Sequence, residues 1–235
     1  CPQSPQEAFD LTIDAFNLAE TYRCPVFLAS NKELAMTRGS LDLDTIPTPA
    51  LVDRRRAPAG QPYLPFAATA ARRVPAFLPI GGPTLVRQTS STHGPDGYIT
   101  TDPKVIQQTQ IRLQAKIDAT IDHYTYYEEQ PLAGAETLII TYGVTARAAK
   151  AAVQELAAVG QPVSLLILKT LWPVPADVIT RTAAGAKRIV VLEMNLGQYV
   201  HVIERILPGR TIEFLGQMDG NLITPAQIRE VLTNG

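Results

Sequence analysis

The sequence predicts an α/β protein whose main domain, over residues 104–235, is a three-layer structure around a mostly parallel sheet. Three observations predict it. Short apolar runs at 137–141, 163–168, 188–193 and 211–215 alternate with stretches of helical period. The runs are apolar at nearly every position, as in strands covered on both faces. Ahead of them, residues 37–103 carry prolines at 47, 49, 58, 62, 65, 75, 79, 83 and 95. Proline removes a donor and fixes φ, so that stretch is a long proline-rich linker. Residues 1–36 then form a helix–strand remnant of another domain.

The elements follow in order. Ser4-Pro5-Gln6-Glu7 reads as a capping box with proline at the first helical position. The helix it opens runs from Pro5 to about Tyr22, with Phe9, Ile13, Phe16 and Leu18 as its apolar positions. Pro25 precedes Val26-Phe27-Leu28-Ala29, which reads as a short buried strand. One helix and one strand cannot enclose a core. The chain also starts at Cys1 and enters the helix at once, so it reads as the interior of a longer protein. The linker intersperses Leu41, Leu43, Ile46, Leu51, Val52, Tyr63, Leu64, Phe66, Val74, Phe77 and Leu78 among its prolines. A disordered segment is poorer in such residues, so the linker is expected to lie against other surfaces.

His93-Gly94-Pro95-Asp96-Gly97-Tyr98 is a turn cluster. Asp102 caps a helix that opens at Pro103 and extends to about Tyr124 on Val105, Ile106, Ile111, Leu113, Ile117 and Ile121. After the 137–141 strand, an alanine-rich helix spans Ala146 to Val159 and ends at Gly160. Pro175 opens a short helix toward Ala184, and Gln198 to Leu207 forms the next. Thr224-Pro225-Ala226-Gln227 is a second capping box, for the last helix. Trp172, before Pro173, is expected to pack under the sheet edge.

Composition narrows the function. Apolar residues make up 46% of the 235, enough for a core, and 21 basic against 22 acidic residues leave a formal charge of −1. That balance points to no nucleic-acid partner and no anionic membrane surface. Arg54-Arg55-Arg56 reads as a local solvated or paired patch. No apolar run approaches the roughly 18 residues of a membrane span, and no signal peptide is visible. Cys1 and Cys24 match no zinc, haem or redox spacing, which fits a reducing cytoplasm.

Two turns could carry a site. Gly143 follows a strand and precedes a helix, where backbone N–H groups can receive an anion. Yet Tyr142-Gly143-Val144-Thr145-Ala146-Arg147 is neither a P-loop nor G-x-G-x-x-G, and a plain tight turn or an interface contact explains it as well. Glu193-Met194-Asn195-Leu196-Gly197-Gln198 leaves the end of a strand, the edge where open α/β sheets place ligands. Glu193 could serve as acid or base, with Asn195 and Gln198 positioning a ligand. The competing reading is a hydrogen-bonded turn. His93, His123 and His201 have no metal-ligand spacing, and each is expected to be satisfied or exposed. On these residues alone a non-catalytic small-ligand or nucleotide-binding module stays open.

Several stretches taken together resemble one family. They are Pro5-Gln6-Glu7-Ala8-Phe9-Asp10-Leu11-Thr12, Ala15-Phe16-Asn17-Leu18-Ala19-Glu20, Pro25-Val26, His93-Gly94-Pro95-Asp96-Gly97, the Tyr142 and Glu193 turns, Leu171-Trp172-Pro173 and Leu222-Ile223-Thr224-Pro225. In this order they resemble the α subunit of 2-oxoacid:ferredoxin oxidoreductases, nearest the 2-oxoglutarate type. The resemblance implies that residues 1–36 end a thiamine-diphosphate pyrimidine-binding domain and that 104–235 form a transketolase-C-terminal-like domain. It implies oxidative decarboxylation of a 2-oxoacid to acyl-CoA by the complete complex. Thiamine diphosphate with Mg, CoA as substrate and iron–sulfur clusters would belong to that complex, none bound by this chain alone. Its partners would be a β subunit, a γ subunit or domain, and ferredoxin.

The family's Tyr-Pro-Ile-Thr-Pro and Gly-Pro-Ser-Thr-Gly stretches do not occur here, so no catalytic residue carries over. Ser30-Asn31 stands where the family has Ser-Asp, which puts any charge-dependent role at Asn31 in doubt. Tyr142, Gly143, Thr145, Arg147, Glu193, Asn195, Gly197 and Gln198 remain as a candidate sheet-edge or interface site.

Overall fold

A strand that is apolar on both faces must be covered twice. The computed structural model, which describes residues 1–41, 43–44, 46, 49–58, 60–68, 74–89 and 91–234, shows how this is done. The strands are β1 (Tyr127–Gln130), β2 (Thr137–Tyr142), β3 (Val163–Leu168), β4 (Arg188–Glu193) and β5 (Ile212–Gly216). They form one sheet in the order β1-β3-β2-β4-β5. Only β1 runs antiparallel, against β3. The helices of this region are α4 (Thr145–Ala158), α5 (Ala176–Ala183), α6 (Val200–Ile206) and α7 (Pro225–Asn234). Strand side chains alternate between faces. Ile139, Leu165, Ile167, Val190 and Leu192 therefore meet α4 and the Ile223 and Ile228 side chains at α7. Leu138, Ile140, Leu166, Leu168, Ile189 and Val191 meet α5 and α6 on the other side. Ala146, Ala149 and Ala152 are fully buried, so α4 lies close to the sheet.

The chain divides into two compact units. One comprises residues 1–11, 28–43 and 125–235, and the other 12–27 and 44–124. The helix α1 (Pro5–Tyr22) runs through parts of both. Its capping box is one residue displaced. Ser4 Oγ accepts the Glu7 N–H at 3.2 Å, but the Glu7 carboxylate returns to the Gln3 N–H at 3.0 Å. The Thr224 box is reciprocal, with Gln227 Oε1 accepting the Thr224 N–H at 2.8 Å.

Expectations differ from the structure in several places. Val26-Phe27-Leu28-Ala29 is not a strand, because no ladder partner exists among the described residues. Phe27 is 90% exposed. The helix from Pro103 ends as α3 (Pro103–Asp118), followed by a single 3₁₀ turn at Ile121–Tyr124. Tyr127–Gln130 was not anticipated as a strand, since Tyr-Glu-Glu-Gln is polar. Charged side chains suit an edge strand with one solvated face. Trp172 does not pack under the sheet edge: it is 76% exposed in the β3–α5 loop.

The linker shows why a proline-rich stretch can be ordered. Carbonyls there lack neighbouring N–H partners and must find side-chain donors. Arg23 lies just past α1 at φ 45° and donates to the carbonyls of Pro65, Pro75 and Ala76 at 3.0, 3.2 and 2.9 Å. Asn17 donates to the Ala50 carbonyl and accepts the Val52 N–H. Arg54 forms a bidentate pair with Glu20 and lies over the Phe77 ring at 4.5 Å. A short bridge pairs Arg56 with Phe77. Pro47 falls outside the described residues. No described helix is long and apolar enough to cross a membrane.

An unanticipated short helix, α2 (Lys32–Met36), gives Asn31 a role. Its Oδ1 accepts the Leu34 N–H at 2.9 Å, as an N-cap. An amide caps as well as a carboxylate. Asn31→Asp should leave the Leu34 amide protected, while Asn31→Ala, which removes about 1 kcal/mol of capping, should speed its hydrogen exchange about fivefold. Equal exchange in all three proteins would show that the cap does not hold α2.

Candidate functional site

The sheet order sets where a crevice belongs. The chain leaves β2 for β3 by way of α4 on one face, and leaves β4 for β5 by way of α6 on the other. Connections that diverge in this way open the sheet edge between β2 and β4, the topological switch point of an open α/β sheet. Tyr142 ends β2 and Glu193 ends β4.

Here the protein fills that place itself. Glu193 is 1% exposed. Its Oε2 accepts the Tyr142 hydroxyl at 2.7 Å, the Asn195 amide at 2.9 Å and the Tyr199 N–H at 2.9 Å. Its Oε1 accepts the Val200 N–H at 2.6 Å. The last two are orphan donors at the start of α6, so the carboxylate replaces a missing N-cap side chain. Asn195 also donates to the Tyr142 oxygen, and its Oδ1 accepts the N–H groups of Gly197 at 2.8 Å and Gln198 at 3.2 Å. Tyr199 stacks edge-on to Tyr142 at 5.5 Å and donates to the Leu171 carbonyl, tying the β3–α5 loop to the β4–α6 loop. Burial, together with the charge of Glu193, pushes the hydroxyls of Tyr142 and Tyr199 well above the ordinary phenol range.

The structure thus brings together Tyr142, Glu193, Asn195, Gly197 and Gln198. It sets Thr145 and Arg147 apart, on the first turn of α4. Thr145 is buried, and Arg147 is exposed and takes no part in the network. Gly143 adopts φ 60°, and a side chain there would meet Cys1 Sγ at 3.2 Å. The N–H groups of Ala146 and Arg147 bond back to the carbonyls of Gly143 and Val144 in a tight turn. Tyr199 and Gly216 escaped sequence reasoning. A Cβ on Gly216 would lie 2.8 Å from the Asn195 carbonyl oxygen and still closer to the Phe214 ring. Neither residue belongs to a motif; only pairing of β4 with β5 brings Gly216 opposite Glu193.

Of the histidines, His123 meets the Tyr22 hydroxyl and His201 meets Glu204. His93 departs from expectation: it stacks on Phe66, and its buried Nδ1 has no hydrogen-bond partner among the described residues. A second polar chain lies in the same unit as the sheet. Lys169 pairs with Glu7, Gln3 bridges Glu7 and Glu128, and Lys150 closes on Glu128. Burial would raise both carboxyls, but the hydrogen bonds outweigh it and hold each below its ordinary value.

Glu193→Gln keeps the size but presents an amide N–H toward donors. It should lower the unfolding free energy by about 2–4 kcal/mol in urea titrations, and Tyr142→Phe by about 1–2. A tyrosine with a raised folded pKa stabilises the fold below its unfolded value near pH 10, and that contribution is lost as pH rises through the folded value. Wild-type absorbance should therefore show two tyrosines resisting ionisation above about pH 10. In Glu193→Gln their titration should move down. An unchanged stability and titration would show that the carboxylate does not organise the edge.

The chain is similar to known proteins along nearly its whole length. Residues 1–111 match the family model described as pyruvate flavodoxin/ferredoxin oxidoreductase, thiamine diP-bdg. Residues 135–228 match pyruvate:ferredoxin oxidoreductase core domain II. The 2-oxoglutarate synthase subunit KorA of Methanothermobacter thermautotrophicus is 31% identical over 98% of this chain and 61% of its own length. The ketoisovalerate oxidoreductase subunit VorB of Methanothermobacter marburgensis is 30% identical over 98% of this chain and 57% of its own. The chain thus spans about three fifths of the length of these relatives. The structure of 2-oxoglutarate:ferredoxin oxidoreductase from Magnetococcus marinus, solved with 2-oxoglutarate, coenzyme A and succinyl-CoA, aligns with a TM-score of 0.87. It does so at 23% identity, over 99% of this chain and 41% of that one, and so shows a shared fold. Two consecutive family models and relatives of one kind across the whole sequence make this chain a homologue of the 2-oxoacid:ferredoxin oxidoreductase subunits.

Proposed function

We propose that the chain is the later part of an α subunit of a 2-oxoacid:ferredoxin oxidoreductase of the 2-oxoglutarate type. Residues 1–36 end the thiamine pyrimidine-binding domain, 37–103 are the wrapping linker, and 104–235 are the transketolase-C-terminal-like domain. The observation that carries this reading is the run of 2-oxoglutarate synthase subunits among relatives that match 97–98% of the chain. A stand-alone ligand-binding module is not favoured by relatives that are all oxidoreductase subunits.

The role assigned to the chain is structural: it buttresses the cofactor-binding domains and builds a subunit interface. Glu193 has both oxygens engaged by four donors, a poor condition for an acid or base. Tyr142, Gly143, Thr145, Arg147, Glu193, Asn195, Gly197 and Gln198 are accordingly read as the framework of a sheet-edge interface. Trp172 and Leu196, 76% and 72% exposed on the two loops this framework joins, supply apolar contact area there.

In the complex, thiamine diphosphate with Mg²⁺ would take the electrons of the decarboxylated 2-oxoacid. CoA would accept the acyl group, and iron–sulfur clusters would carry the electrons to ferredoxin. Among the described residues no three His, Cys, Asp or Glu side chains converge to hold a metal. Two cysteines are too few for a cluster. Among the described residues there is no ligand set for the metal-bound diphosphate or for a cluster, and both are assigned to partners: a β subunit and a γ subunit or domain. The location is cytoplasmic.

The test is reconstitution. The chain alone should show no 2-oxoglutarate- and CoA-dependent reduction of ferredoxin. The hetero-oligomer carrying its full-length parent should show it, with kcat/KM for 2-oxoglutarate at least about tenfold above that for 2-oxoisovalerate. A parent that purifies as a stable monomer without partner subunits would end this reading. A reversed substrate preference would retain the family and remove the 2-oxoglutarate type.

A further inference from the structure

We propose that Arg23 is a conformational latch. Its guanidinium holds the proline-rich linker against the end of α1 and, through a stack of rings, fixes the hairpin at Thr92–Thr100. Losing this one side chain then frees linker and hairpin together while the sheet stays folded. Asn17, Glu20 and Arg23, spaced by three, run off the end of α1. Asn17 meets the Ala50 carbonyl and the Val52 N–H, and Glu20 meets Arg54, so these two hold residues 50–54. Arg23 joins stretches further along, through the carbonyls of Pro65, Pro75 and Ala76. All of these residues lie within the second unit.

The contacts of Arg23 reach further than its hydrogen bonds. Its guanidinium lies over the rings of Phe66 and Phe77 at 6.0 and 5.9 Å. Phe77 carries Arg54 at 4.5 Å and exchanges backbone hydrogen bonds with Arg55 and Ala57. On Phe66 the imidazole of His93 stacks at 3.5 Å, and the Phe66 N–H donates to the Pro95 carbonyl at 3.0 Å. His93 and Pro95 belong to the hairpin, in which His93 pairs with Ile99 and the Gly94 N–H donates to the Tyr98 carbonyl. Exposed Tyr98 and Ile99 are thus positioned from behind by Phe66. Arg87 and Thr89 also touch the hairpin, but they belong to the chain leading into it. The contacts His93–Phe66–Arg23–Phe77–Arg54 form one path with Arg23 at its centre. A cation–ring contact is weak singly. A guanidinium has several N–H donors and a flat face, so one side chain can gather carbonyls and rings at once. Arg23 also sits at φ 45°, a conformation that a non-glycine residue keeps where its surroundings hold it.

The test is amide hydrogen exchange, followed residue by residue in the full-length protein. The main variant is Arg23→Gly, because glycine suits a left-handed position after a helix and leaves α1 able to end there. The N–H groups of Phe66, Gly94 and Thr100 bond to Pro95, Tyr98 and Thr92, not to Arg23. In Arg23→Gly they should exchange at least about tenfold faster, while those of Ile140 and Val190, buried in the sheet, should not change. Arg23→Lys should speed the same set, since an ammonium lacks the planar fork. Asn17→Ala should speed Val52 and leave the hairpin as it is. Phe66→Leu should speed Gly94 and Thr100 but leave Ala57 and Phe77, which lie on the other branch of the path.

Faster hairpin exchange in Arg23→Gly but not in Asn17→Ala, with an unmoved sheet, would establish the latch. If Arg23→Gly speeds Ala57 and Phe77 alone, or no amide at all, the hairpin is held independently and the latch is overturned. Equal acceleration in the sheet would overturn it too, since Arg23 would then support the whole fold. If Arg23→Gly fails to fold, Arg23→Lys and Phe66→Leu carry the test by the same amides.

Discussion

A single buried carboxylate sets the geometry of the sheet edge. Glu193 ends β4 at the place where the connections of the sheet diverge, and a carboxyl group buried in that position is tolerated only if it is well hydrogen-bonded. Four donors from β2, the β4–α6 loop and α6 meet it. The start of α6 thereby obtains a cap that its own sequence lacks. Tyr142 and Tyr199 are fixed against each other, and the β3–α5 loop is tied in through Leu171. The crevice that other open α/β sheets offer to ligands is here occupied by the protein's own hydrogen bonds.

The other unit solves a different problem with the same chemistry. Prolines strip the linker of donors but leave every carbonyl in place. Long side chains make up the difference, above all Arg23, whose one terminal nitrogen gathers three carbonyls from two parts of the linker. Order in this segment rests on a few side-chain-to-backbone bonds and aromatic contacts, with only two isolated bridges among its described residues.

Legibility in the sequence tracked the range of the interaction. The apolar strand runs, the Asp102 cap and the Thr224 box are local patterns, and the structure has them at those positions. Val26–Ala29 read as a strand because its composition is right, but a strand is defined by a partner, which composition does not carry. Tyr127–Gln130 escaped for the converse reason: its pairing with β3 overrides a polar sequence. Glu193 and Asn195 were visible as residues at a strand end. Their engagement with Tyr199, and the close approach of Gly216, depend on the neighbouring strand and on the return of α6. Trp172 was misplaced because aromatic bulk argues for burial in general and says nothing about one loop.

The Asn195 turn has a bearing on how this edge meets anything else. Its side chain holds the N–H groups of Gly197 and Gln198, while Gly197 takes a φ of 96° that few other residues adopt. Leu196 lies between these fixed points with its side chain in solvent. Loop ordering is commonly part of the entropy lost when two surfaces associate. Here that loss is incurred during folding, so the loop offers an apolar side chain already held in place, and its contribution to association depends on fit more than on rearrangement.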